Sequence, residues 1–315
     1  MDARRAAAAA VLLTLTGCGQ PAAAPTPTPA PRLSAPAIIQ VENSPAGRPQ
    51  SGLAAAAIVY EYVAEGGIGR FSLVFFGPPP PSQSVGPVRS VRTVTVALAG
   101  IYQGFVVYSG ASTYISGLLS RASFPSFNED KAAGNLYRIS SRAPPHNLYT
   151  DGRHIASLAA SAALTPVTYQ LWPRTAHPAG GVPATRFTAP VSFFERPQFT
   201  WRADRGGFTR TEDTGLMLDP VTGQPLILPT VVVQQVAVTT DSNVVDVDGQ
   251  LGVDHQVTGS GKAQVFTGGR EYQATWTQPA HGPPQFALSD GSPAPIAPGE
   301  VWISLVPTGQ PAVVG

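Results

Sequence analysis

Cysteine is nearly absent from this chain of 315 residues: Cys18 is the single one. One thiol cannot close an intramolecular disulfide or build a thiolate zinc site. Charge is scarce as well. Asp, Glu, Lys and Arg together make up 12%, about half the usual share. Twenty basic residues against 19 acidic ones leave a net charge of +1. Nucleic-acid binding needs a strongly basic face, so no nucleic acid is expected as a partner. Lysine is confined to Lys131 and Lys262, and every other fixed cation is an arginine. No apolar run reaches the roughly twenty residues that span a bilayer as a helix. Hydrophobic residues still make up 43%, enough for a core, and the 32 glycines and 33 prolines point to many turns.

What is present begins at the N-terminus. Arg4 and Arg5 precede an apolar stretch over 6–15, and Leu15-Thr16-Gly17-Cys18 follows. That is the layout of a bacterial secretory signal with a lipoprotein cleavage box, against an ordinary signal with an incidental cysteine. Residues 1–17 are then the signal peptide, and acylated Cys18 becomes the first mature residue, held in the lipid bilayer. The expected location is the bacterial cell envelope. A thiol under lipid is also lost to catalysis, which excludes a cysteine nucleophile. Residues 18–36 are rich in Pro, Ala and Thr and read as an extended tether.

Residues 37–164 read as an α/β domain with a mixed sheet. Strands are expected over 37–41, 57–63, 70–76 and 105–108, and helices over 89–102, 112–121 and 151–162, the last capped by Asp151. Residues 165–190 read as a linker. Residues 191–310 read as a mostly β domain, with strands over 199–202, 215–219, 231–239, 244–247, 262–267, 270–277 and 301–306. The fold class is therefore α+β.

The unusual polar residues gather in the first domain. Glu61 stands between Tyr60 and Tyr62 inside an apolar strand, and Glu65 lies just past its end. A buried carboxylate is costly unless paired, and Arg70, Arg89 or Arg92 would supply the pair. Arg89 and Arg92 share a face if the helix starts at 89, where together they would clamp a carboxylate or phosphate. Asn43, Arg48, His146 and Asn147 lie in adjoining loops. Two readings stay open: a structural Glu–Arg network, or a pocket that binds an anion through Arg70, Arg89, Arg92, Glu61, Asn43, Arg48, His146 and Asn147. If the pocket is catalytic, Glu61 or Glu65 is the base and His146 the acid–base partner.

Other motifs fail on spacing. Gly259-Ser260-Gly261-Lys262 lacks the upstream glycine and the Ser or Thr of a phosphate loop, since Gln256 and Ala263 stand there. The glycines over 66–69 do not fit a dinucleotide fingerprint. Asp246, Asp248 and Asp254 have no closing Glu for a calcium loop. The five histidines match no metal pair, so no metal and no cofactor are expected.

In order along the chain stand Val41-Glu42-Asn43-Ser44, Ala46-Gly47-Arg48-Pro49-Gln50-Ser51-Gly52-Leu53, Glu65-Gly66-Gly67-Ile68-Gly69-Arg70-Phe71, Gly86-Pro87-Val88-Arg89-Ser90-Val91-Arg92 and Pro145-His146-Asn147-Leu148-Tyr149. Later come Asp219-Pro220-Val221-Thr222-Gly223, Gly259-Ser260-Gly261-Lys262-Ala263 and Val306-Pro307-Thr308-Gly309. Together these resemble the YerB-like family of bacterial lipoproteins, over about residues 37–310. The resemblance implies a two-domain envelope lipoprotein and supplies no reaction. Three functions follow as expectations. One is binding of an anionic wall fragment, peptide or glycan. The second is a wall-modifying hydrolase or transferase. The third is a structural protein that meets peptidoglycan or another envelope protein without a small ligand.

Overall fold

The computed structural model describes residues 32–213, 215–246 and 248–315. The signal segment, Cys18 and most of the tether lie outside the described residues. The tether's last residues do not stay free: Arg32–Leu33 pairs antiparallel with Val167–Thr168, so the folded part starts before Ala37.

The main elements are β1 (Ala37–Glu42), β2 (Ile58–Val63), β3 (Gly69–Phe75), α1 (Thr93–Tyr102), β4 (Phe105–Val107), α2 (Thr113–Arg121) and α3 (Gly152–Ala162). They continue with β5 (Gln198–Arg202), β6 (Gly207–Glu212), β7 (Thr230–Val236), β8 (Val238–Val245), β9 (Leu251–His255), β10 (Ser260–Thr267), β11 (Arg270–Thr277) and β12 (Val301–Pro307). Among the described residues no helix is long and apolar enough to cross a membrane.

One eleven-stranded mixed sheet organises the molecule, with central order β11-β10-β7-β12-β2-β3-β1-β4. The two halves of the chain meet inside it. β12, from the C-terminal half, runs parallel to β7 on one side and parallel to β2 on the other. Buried on both faces, β2, β3, β7 and β12 read as near-continuous apolar runs and not as alternating ones.

The two faces carry separate cores. On one, Ile38, Tyr60, Tyr62 and Val74 meet Val94, Leu98 and Tyr102 of α1. A closed polar network fastens α1 there: the Tyr62 hydroxyl lies within bonding distance of Gln40, Ser72 and Thr95, at 2.7, 2.7 and 3.0 Å. Buried polar groups are tolerated because each finds a partner. On the other face, Val59, Phe71, Leu73 and Trp302 meet Phe187, Phe199 and Phe208 of a second, five-stranded antiparallel sheet. Phe187 stacks on Phe266 with centroids 3.6 Å apart. Ile155 and Leu158 of α3 complete this layer.

The expected helix over 89–102 is shorter at its start. Arg92 is extended (φ −121°, ψ 162°) and the helix begins at Thr93. The reason is local: β1 outruns β4, and residues 87–91 fill the open backbone edge. Arg89 N–H donates to Gln40 O at 2.9 Å, and Val91 N–H to Gly110 O at 2.9 Å. Arg89 and Arg92 are therefore not on a common helical face. Asp151 caps α3 as expected, accepting from His154 N–H at 3.0 Å.

Candidate functional site

β1, β2 and β4 run in the same direction, and the polar residues singled out in the sequence collect at their carboxyl ends. Open α/β sheets bind ligands at such ends. Glu42 closes β1 directly across from Arg70, which opens β3. Glu65 follows β2, and Arg89 and Arg92 precede α1.

Glu42 is the hub on one side, buried to 1% exposure. It accepts from Ser44 Oγ at 2.6 Å, bonds His146 Nδ1 at 2.8 Å and faces Arg89 Nε at 3.6 Å. Arg89 also donates to Pro145 O at 3.1 Å. On the other side, Arg92 donates from Nε and Nη2 to Glu65 Oε2, at 2.6 and 2.5 Å.

Arg70 lies between them with less support. It is 7% exposed, and its Nη1 donates to Gly69 O at 2.9 Å. Its Nε has no hydrogen-bond partner among the described residues. Burial, then the like charges of Arg92 and Arg89, push its pKa down to about 10, partly offset by Glu42 and Glu65. Three guanidiniums thus face two carboxylates. The adjoining N-terminus of α1 has no acidic residue in its first turn, and the Thr95 hydroxyl accepts from Arg92 N–H there at 3.4 Å. Excess positive charge and an unmet buried donor favour an anion.

Glu61 is elsewhere. On β2 it points to the opposite face from Tyr60 and Tyr62, into the layer between the sheets, with no exposed surface. Its partner is not Arg70, Arg89 or Arg92 but Arg210 of β6, also fully buried. Its second oxygen accepts from Trp302 Nε1 and Ser304 Oγ, both at 2.8 Å. Arg210 also binds Glu212 at 2.8 Å and lies 3.4 Å from Glu195. Burial opposes its charge, yet Glu61, Glu212 and Glu195 outweigh that and hold the guanidinium more firmly protonated than usual. Glu195 is pushed well above the usual carboxylate range by burial first, then by Glu212 and Glu61.

Asn43 and Arg48 join this second network. Asn43 donates to Glu195 and accepts from Gln50 at 2.9 Å. Arg48 binds Glu212 at 2.9 Å and Asp213 at 2.5 Å. A cavity of about 270 Å³ opens beside it, lined by Arg48, Gln50, Arg210 and Glu212 with Leu216, Met217 and Leu218. Asn147 belongs to neither group: it accepts from Arg138 at 2.8 Å and donates to Ile139 O at 3.3 Å, holding its own loop.

The structure therefore brings Arg70, Arg89, Arg92, Glu65 and His146 to one end of the sheet and keeps Glu61, Asn43 and Arg48 in a network behind it. Glu42, the carboxylate that holds His146, stood next to the selected Asn43 without being selected. Glu195, Arg210 and Glu212 lie in the C-terminal half, where the anion-site reading placed nothing.

Comparison with known proteins finds one family, matched by separate models in the two halves of the chain. Residues 24–165 match the N-terminal domain of a protein family of unknown function (DUF3048), and residues 188–303 match its C-terminal domain. A curated relative, "Putative lipoprotein YerB" of Bacillus subtilis (strain 168), is 29% identical over 280 residues, 86% of this chain and 81% of its own. The crystal structure of YerB protein from Bacillus subtilis superimposes with a TM-score of 0.75 at 27% identity, covering 90% of this chain and 94% of that one.

Proposed function

The chain belongs to the DUF3048 family through both of its domains, and we propose that it is a lipid-anchored envelope protein that binds an anionic component through Arg70, Arg89 and Arg92. The anchor reading rests on Leu15-Thr16-Gly17-Cys18 after an apolar run and on the relative's description as a lipoprotein. The binding reading rests on one observation above all: the buried Arg70 guanidinium with an unpartnered Nε beside two further arginines. A carboxylate or phosphate on a wall peptide or glycan would complete its hydrogen bonds. Charged hydrogen bonds of this kind are worth about 1.5–3 kcal/mol each.

Two results are expected. Cys18→Ala should move the protein from the membrane fraction to the soluble one; a variant that still pellets with membranes ends the anchor reading. That soluble protein should bind fragments from a peptidoglycan digest in calorimetry, more weakly as salt rises. Arg89→Ala should weaken this by roughly tenfold or more, in line with the loss of one charged hydrogen bond. Equal retention by Arg89→Ala and by Arg70→Met would remove the site. A second reading, turnover of the bound fragment, is favoured by His146, whose Nδ1 is oriented by Glu42 as a general base requires. New products in mass spectrometry, abolished by His146→Ala with binding retained, would establish it.

A further inference from the structure

The opposite end of the sheet holds a buried acid with an oxygen that no described residue satisfies. Glu300 sits just before β12 and is 8% exposed. Its Oε1 has no hydrogen-bond partner among the described residues, and the carboxylate enters no ion pair there. Proteins rarely leave a carboxyl group in that condition, because burial without a donor costs the full desolvation penalty. Glu300 lines a cavity of about 390 Å³. Leu226, Ile227 and Pro229 supply apolar wall, and Arg205, Asp219, Thr222 and Gln224 stand on its polar side. Pro225 and Pro229 carry no N–H, so this stretch of wall offers Glu300 little backbone donation. Arg205 is exposed and forms no ion pair among the described residues.

The donor that Glu300 lacks is one that a ligand would bring. An ammonium group fits best: it offers three donors and the opposite charge. An alkyl stem behind it would lie on Leu226 and Ile227, and a carboxylate at the far end would meet Arg205. We infer that this cavity is a binding site for an ω-amino acid of the lysine type, free or as the C-terminal residue of a peptide, with Glu300 taking the side-chain ammonium and Arg205 the carboxylate. The site is separate from the Arg70–Arg89–Arg92 cluster and does not depend on it. Burial pushes Glu300 well above the usual carboxylate range, so it holds a proton more readily than an exposed carboxyl group. Capture of an ammonium ion leaves the carboxylate ionised, and the proton passes to buffer.

The test is calorimetry on the soluble Cys18→Ala chain at pH 7 with L-lysine, cadaverine and norleucine as probes. Lysine should bind saturably, cadaverine more weakly, and norleucine at least tenfold more weakly than lysine. The enthalpy should vary with the ionisation heat of the buffer, showing release of up to one proton. Glu300→Gln should abolish lysine binding, Arg205→Ala should bring lysine down to the level of cadaverine, and Arg89→Ala should change neither. If lysine does not saturate by tens of millimolar, or norleucine binds as well, the inference is overturned. Glu300→Gln binding lysine like the parent overturns it too. Should Glu300→Gln fail to fold, the comparison of lysine with norleucine and the proton release, both on the parent chain, still decide.

Discussion

Arg210→Met is expected to cost about 3–5 kcal/mol of stability, the range seen when one member of a buried ion pair is removed. For a chain of this size that lowers the melting temperature by on the order of 10 °C. The large figure follows from what the arginine leaves behind. Glu61 has no exposed surface and would keep only Trp302 Nε1 and Ser304 Oγ as donors. Glu212 would lose a 2.8 Å partner, and Glu195 would lose a cation that lowers its pKa. The guanidinium also lies 5.7 Å from the Phe71 ring centroid and 5.5 Å from that of Trp302, so its removal strips the cation from two aromatic faces. Glu61→Gln in the Arg210→Met background should recover more than half of the loss, because the uncompensated charge is then gone. A denaturant-melt cycle over the four proteins would read this coupling. A loss below about 1 kcal/mol, or no rescue, would mean that the pair is not the clasp between the two sheets.

That clasp also shows where the sequence was legible. Strands β1, β2, β3 and β12 are near-continuous apolar runs between turn residues, and they stand where the pattern puts them. Helix α3 announced itself through Asp151 and its apolar spacing. The gathering of Arg70, Arg89, Arg92, Glu65 and His146 was legible because each lies at a strand or helix end in one half of the chain. The partner of Glu61 was not. It lies 149 residues away, in a strand without the usual apolar alternation. The inward residues of β6 are Phe208, Arg210 and Glu212, so only one of three is apolar. A period-two pattern remains, Phe208, Arg210 and Glu212 against Thr209 and Thr211, but it becomes a strand signal only once a buried acid is known to need that arginine. The joining of both halves through β12 was equally silent, because a strand buried on both faces looks the same whichever neighbours it pairs with.

The second large effect is an acid-driven loss of stability centred on His255. This residue ends β9 at 2% exposure, and neither ring nitrogen has a hydrogen-bond partner among the described residues. Its ring lies 5.5 Å from that of Tyr62. Burial pushes its pKa down to about 3, against about 6.5 in an unfolded chain. The folded state therefore binds fewer protons than the unfolded one between those values. Its stabilising effect is complete above about pH 6.5 and falls as pH drops, by about 1.4 kcal/mol per unit. Between pH 6.5 and 4.5 the loss is about 2 kcal/mol. Glu195 and Glu300 act with the opposite sign, since their raised pKa values make the folded state bind extra protons above the usual carboxylate range. The raw pH profile mixes these effects, so the reading is a difference. Urea melts of the parent and of His255→Leu at pH 7.5, 6 and 4.5 should show the variant gaining roughly 2–3 kcal/mol relative to the parent across the series. An unchanging difference would mean that His255 does not resist protonation. The effect is expected to reach the proposed anion site by a short path. β9 packs on α1 and on the turn Glu65–Gly67. Tyr62, under the His255 ring, bonds the Gln40–Ser72–Thr95 group that fastens α1. Arg92 stands at the N-terminus of that helix, paired with Glu65. A proton on His255 would load the side of the site where Arg92 is held, so acid should weaken anion binding in the parent before it unfolds the chain, and do so less in His255→Leu.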